Sequence, residues 1–115
     1  MTKQFLVIKP DNSTHRIYIP DEQPTLAVFQ QEVGGYIEIA SLPNDPLDHV
    51  LIVNEDGISM ELPPNPIASY IALTFGRPQI IRGNVILARN TGENTSPPAA
   101  VLLEGLRQMW DWTWD

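Results

Sequence analysis

The chain has no cysteine, and among its 115 residues no lysine or arginine stands between Ile17 and Gly76. The first absence excludes disulfide staples, thiolate metal sites and thiol nucleophiles. The second leaves sixty consecutive residues with nine carboxylates, from Asp21 to Glu61, and nothing to offset them. Long apolar runs are also missing: none approaches the roughly 20 residues that cross a bilayer. The start, Met1–Phe5, lacks the apolar stretch and small-residue cleavage site of a signal peptide. These absences lead us to expect one domain over residues 1–115, in the cytoplasm and without a membrane partner.

What is present supports a folded core. The hydrophobic fraction is 43%, and a chain of this length buries roughly two-thirds of the surface its unfolded form exposes. The net charge of −7 repels phosphate backbones at long range, so direct nucleic-acid binding is not expected. The basic residues gather at the two ends of the chain, Lys3, Lys9 and Arg16 in one group and Arg77, Arg82, Arg89 and Arg107 in the other. A small anion could therefore be held locally.

Patterning predicts short strands and three helices. Phe5–Ile8 and Arg16–Ile19 flank a turn at Lys9–Asn12. Leu26, Phe29 and Val33 recur at helical spacing before Gly34-Gly35. Tyr36–Ile39 alternates as a half-buried strand, and His49–Val53 reads as a central one. Asn54-Glu55-Asp56-Gly57 is then a hairpin turn, with Ile58–Leu62 returning as its partner strand. Asn65 can cap a helix from Pro66 to Phe75, which Gly76 and Pro78 stop. Gln79–Arg82 and Val85–Ala88 flank Gly83-Asn84, either a tight hairpin or a bulge in one longer strand. Asn90–Pro98 reads as a mobile loop, and a helix over 97–113, capped by Ser96, carries Leu102, Leu106, Met109 and Trp110 on one stripe. The expected class is α+β: a mostly antiparallel sheet, two short helices and a C-terminal amphipathic helix.

Catalytic chemistry is sparsely supplied. No serine has the glycine flanks of a nucleophile elbow. His15 and His49 fall at strand starts, without the paired spacing of a metal site, and read as exposed strand-end histidines. The Asn54–Gly57 turn lacks the alternating acidic positions and distal glutamate of a calcium loop. No metal or cofactor is expected. Arginine is the more informative type, because its rigid donor fork grips phosphates and carboxylates. The structural reading is that Arg77, Arg82 and Arg89 neutralise acidic neighbours; the functional reading is an anion cleft near Asn65, whose helix start also favours negative charge. Arg77, Arg82, Asn65, Asn54 and Tyr36 are the candidate contacts.

The ending holds Trp110, Trp112 and Trp114. On a helix each is turned ~200° from the last, so the three do not share one face. The structural reading docks Trp110 alone as core; the functional one makes the three tryptophans an interface in a homo-oligomer.

Four blocks, Gln31–Glu38, Val53–Gly57, Leu62–Ala68 and Gly83–Leu87, stand in an order that resembles a family of small phage- and plasmid-borne proteins classified only as a domain of unknown function. The resemblance covers roughly residues 24–89 and implies a mobile-element setting and a non-catalytic accessory role. It supplies no reaction, and the 90–98 segment and tryptophan helix lie outside it.

Two classes of function follow. The first is a non-enzymatic phage counter-defence protein that sequesters a small anionic immune signal, a cyclic or linear nucleotide, in a cleft between subunits. The alternative is an acidic inhibitor or nucleic-acid mimic that blocks a host defence protein through its carboxylate-rich stretch. A nucleotide-cleaving enzyme using His49 and Glu55 ranks behind both.

Overall fold

The unbroken apolar run Phe5–Ile8 forms a strand buried on both faces, because helices cover the sheet from either side. The computed structural model describes residues 2–91, 94–99 and 102–106. Its strands are β1 (Thr2–Ile8), β2 (Thr14–Pro20), β3 (Ile37–Ser41), β4 (His49–Asn54), β5 (Val85–Thr91) and β6 (Asn94–Ser96); its helices are α1 (Leu26–Val33) and α2 (Pro66–Thr74). The sheet is antiparallel in the order β2-β1-β5-β4-β3, with β6 paired to β5. An α+β domain follows, with β5 and β4 at its centre and β2 and β3 at its edges.

Alternate side chains build two cores. Leu6, Ile8, Leu51 and Leu87 face α2, which contributes Ile67 and Ile71. Phe5, Val7, Ile52 and Ile86 face α1, whose Phe29 meets Phe5 edge to face at 5.1 Å between ring centres. Gly34 ends α1 in the left-handed region, φ 79°, and its N–H bonds to the Gln30 carbonyl. Asn65 caps α2 with Pro66 as its first residue, as the sequence predicts.

Four expectations are corrected. Ile58–Leu62 is not a strand but a series of turns. Both edges of β4 are occupied, by β3 and β5, so a returning strand has no partner there. Gln79–Arg82 is not a strand either; only an isolated bridge joins Arg82 to Pro64. Ile81 is buried and fixed to α2, its N–H bonded to the Ser69 hydroxyl, so Gly83-Asn84 is neither hairpin nor bulge but the bend that enters β5. The Asn90–Pro98 loop is replaced by the end of β5 and by β6, which pair from Arg89↔Ser96 to Thr91↔Asn94. Ser96 therefore belongs to a strand. The described part of the C-terminal helix is 102–106, where Leu102 and Leu103 donate to the Ala99 carbonyl. Of the helix expected over 97–113, residues 107–113 lie outside the described residues, as do Trp110, Trp112 and Trp114.

Candidate ligand-binding site

The five candidate contacts do not form one cluster. Asn65 is fully buried and its amide is spent: Oδ1 accepts from the Ala68 N–H at 3.1 Å, while Nδ2 donates to the carbonyls of Ile8 and Gly83, both at 2.9 Å. It ties the start of α2 to the end of β1 and to the bend before β5. Arg77, just past α2, donates from Nη1 to the Ser41 carbonyl at 3.2 Å and from Nε to Gln79 at 3.0 Å, which places it at the far end of edge strand β3.

Asn54 and Arg82 do come together. They line one cleft of about 170 Å³, on the α2 face at the end of β4, together with Glu38, Glu55, Gly57 and Ile80. Arg82 donates from Nη1 to the Leu62 carbonyl at 3.1 Å. The Asn54 side chain organises the turn below it: Oδ1 accepts from Asp56 N–H at 2.8 Å, and Nδ2 donates to the Val33 carbonyl at 3.0 Å. Tyr36 stands beside this turn, its carbonyl accepting from Glu55 N–H at 2.9 Å and its side chain exposed. Ile58 and Ile80 border the cleft and are also exposed, Ile58 at 78%.

The cleft is thus mixed in charge. One guanidinium faces two carboxylates, which suits a ligand with an anionic end and hydroxyl or amino donors elsewhere better than a bare anion. A cavity of this size is about half the smallest typical small-molecule pocket.

The other end of β4 corrects the reading of His49 as exposed. His49 is 1% exposed. Ala99 N–H donates to its Nε2 at 2.9 Å, so the ring proton sits on Nδ1 and is donated to the Asp45 carboxylate at 2.7 Å. Burial pushes the His49 imidazole below its ordinary 6.5; Asp45 pulls it partly back, and Arg89 adds to the lowering. Burial works to raise the Asp45 carboxyl, but donors from Leu47 and His49 outweigh it and hold the group below 3.8. With both ring nitrogens taken, His49 has no atom left for proton transfer. Glu55 lies about 20 Å away along the strand at ~3.3 Å per residue, so the two cannot share a reaction centre.

Sequence reasoning missed Asp45. Its signal was present: an aspartate before Pro46 favours a turn closed by its own side chain, and Oδ1 accepts from Leu47 N–H at 2.9 Å. His15 lies 3.4 Å from Glu32, and among the described residues no cluster of three metal-ligating side chains occurs. Among the described residues no helix is long and apolar enough to cross a membrane. A larger cavity, about 270 Å³, lies on the same α2 face but near the other edge of the sheet, between β1 and Pro97-Pro98. It holds none of the candidate contacts, and its guanidinium, Arg16, already bonds to Gln4 at 3.3 Å.

Compared with known families, residues 1–110 match the family described as "Domain of unknown function (DUF3846)", and the chain belongs to that family. No curated protein and no solved structure matches it.

Proposed function

We propose that this member of the DUF3846 family is a non-enzymatic protein that binds and sequesters a nucleotide-type ligand at the cleft beside Arg82. The observation that carries the reading is the convergence of Arg82 and Asn54 with Glu38 and Glu55 at one open cleft. The guanidinium takes a phosphate, the carboxylates accept from ribose hydroxyls, and exposed Tyr36 and Ile80 offer surfaces for a base. The resemblance to phage- and plasmid-borne proteins supports a counter-defence setting in the host cytoplasm, where the bound nucleotide would be an immune signal.

Calorimetry against a panel of cyclic and linear nucleotides tests this. Arg82→Ala is expected to weaken binding about tenfold or more, the worth of a charge-assisted hydrogen bond. No heat with any nucleotide overturns the reading.

A second reading is favoured by a different observation: exposed Ile58, Met60 and Ile80 lie among Glu55, Asp56 and Glu61, an apolar centre with an acidic rim. Here the surface docks onto a basic host protein. Neutralising Glu55, Asp56 and Glu61 would then abolish salt-sensitive capture of that protein from host lysate, and Arg82→Ala would not. Empty pull-downs at low salt remove this reading.

A further inference from the structure

Edge strands expose unpaired backbone groups, and proteins normally blunt them with charge, proline or a cover. Edge strand β2 is blunted in this way, carrying His15 and Arg16 and ending in Pro20. Edge strand β3, Ile37–Ser41, carries a single charge, Glu38. The hydrogen bond from Glu55 N–H to the Tyr36 carbonyl fixes which groups point outward. Bonded pairs alternate along an antiparallel ladder. Glu38 and Ala40 therefore exchange bonds with Val53 and Leu51 on β4, while the backbone groups of Ile37, Ile39 and Ser41 face away from the sheet. The Arg77 guanidinium reaches the Ser41 carbonyl, as an outward-facing group permits. Among the described residues no other element bonds to the outward groups of Ile37 and Ile39. The Ile39 side chain beside them is 52% exposed.

We propose that a second copy of this chain pairs antiparallel with β3, in the register centred on Ile39. That register sets Ile37 against Ser41, Ile39 against its own counterpart and Glu38 against Ala40, so every outward group finds a partner. A shift to Ile37 against Ile39 would set Glu38 against Glu38, a like-charge pair that the centred register avoids. Ser41 can keep its bond to Arg77 as well, because a carbonyl has two lone pairs.

Charge complementarity supports the second copy as the occupant. The Ser41 end of the edge carries Arg77, and the Ile37 end carries Glu38 and Glu55. The two-fold axis stands perpendicular to the sheet, so α2 faces of both copies lie on the same side. The partner's Arg77 thereby arrives beside Glu38, at the rim of the cleft that holds Arg82. One subunit offers a small cleft with one guanidinium; the pair offers two such clefts, each with a second guanidinium from across the axis. That last consequence rests on the nucleotide reading above, whereas the pairing itself does not.

The absence of cysteine gives a clean test. Opposed residues in such a pair have Cα atoms about 5.5 Å apart, within disulfide reach. Under mild oxidation Ile39→Cys is expected to run as a disulfide-linked dimer, and Tyr18→Cys, exposed on the opposite edge, to remain monomeric. Light scattering should give a dimer for the unaltered chain and a monomer for Ile39→Lys, with its circular dichroism and melting transition retained. A monomeric unaltered chain, or equal cross-linking at both edges, overturns the pairing. If nucleotides bind and the chain dimerises, Arg77→Glu should weaken their affinity; an unchanged affinity overturns the part assigned to the partner's Arg77. Failure of every nucleotide to bind leaves the cross-linking result standing, so the two ideas fail separately.

Discussion

The two ends of β4 treat polar groups in opposite ways. At the His49 end an imidazole, a carboxylate and a backbone amide form a closed, buried chain of hydrogen bonds from Asp45 through His49 to Ala99. At the Asn54 end the polar side chain is also buried and engaged, but it holds open a turn above which Arg82, Glu38 and Glu55 share a solvent-accessible cleft. A saturated network rigidifies and has no bonding capacity to offer a ligand. The open end has such capacity, and charge of both signs with which to use it.

The largest expected effect comes from breaking the closed end. His49→Ala leaves the buried Asp45 carboxylate without its ring donor and Ala99 N–H without an acceptor, and should cost about 3 kcal/mol or more in urea unfolding. A cost below about 0.5 kcal/mol would mean that the network is incidental. Asn54→Ala should cost less, roughly 1–2 kcal/mol, because it removes neutral hydrogen bonds, to the Asp56 N–H and the Val33 carbonyl, and leaves no charge unpaired.

Acid sharpens the contrast. The folded-state pKa of His49 lies below 6.5, so the unfolded chain binds the proton first as pH falls. Stability from this group is complete above 6.5 and is lost as pH drops from there through the lower folded value. Asp45, also depressed, adds a second loss that begins near 3.8 and continues below it. Stability measured from pH 8 to 5 should therefore decline in the unaltered chain and decline less in His49→Ala. Equal slopes would count against the buried neutral ring.

The smallest stability effect belongs to Arg82→Ala, expected within about 0.5 kcal/mol of the unaltered chain because its one resolved bond is to a turn carbonyl at a half-open surface. Unchanged stability with lost ligand affinity would separate a binding side chain from a scaffold one.

Much of the fold was legible because local signals and burial agreed. The apolar run at Phe5–Ile8, the spacing of Leu26, Phe29 and Val33 with its glycine stop, and Asn65 before Pro66 all lie where pattern and capping rules put them. Ile58–Leu62 misled because alternation reports a two-faced strand only if a sheet edge is free to receive it, and β4 had none. The polar segment at Asn90–Pro98 misled in the opposite direction, since pairing to β5 rather than composition makes β6. The site was legible in part. Residue type located Arg82 and Asn54, but nothing local distinguishes their convergence from the separate duties of Asn65 and Arg77, which depend on contacts 57 and 36 residues away in sequence, respectively.

The most direct test of the account follows backbone amides by nuclear magnetic resonance while nucleotides that give calorimetric binding, or the whole panel if none does, are titrated in. The account predicts shifts at Glu38, Asn54–Gly57 and Ile80–Arg82, with Asp45, His49 and Ala99 unmoved. Shifts centred on Gln4, Arg16 and Leu103, or none with any nucleotide, would contradict it.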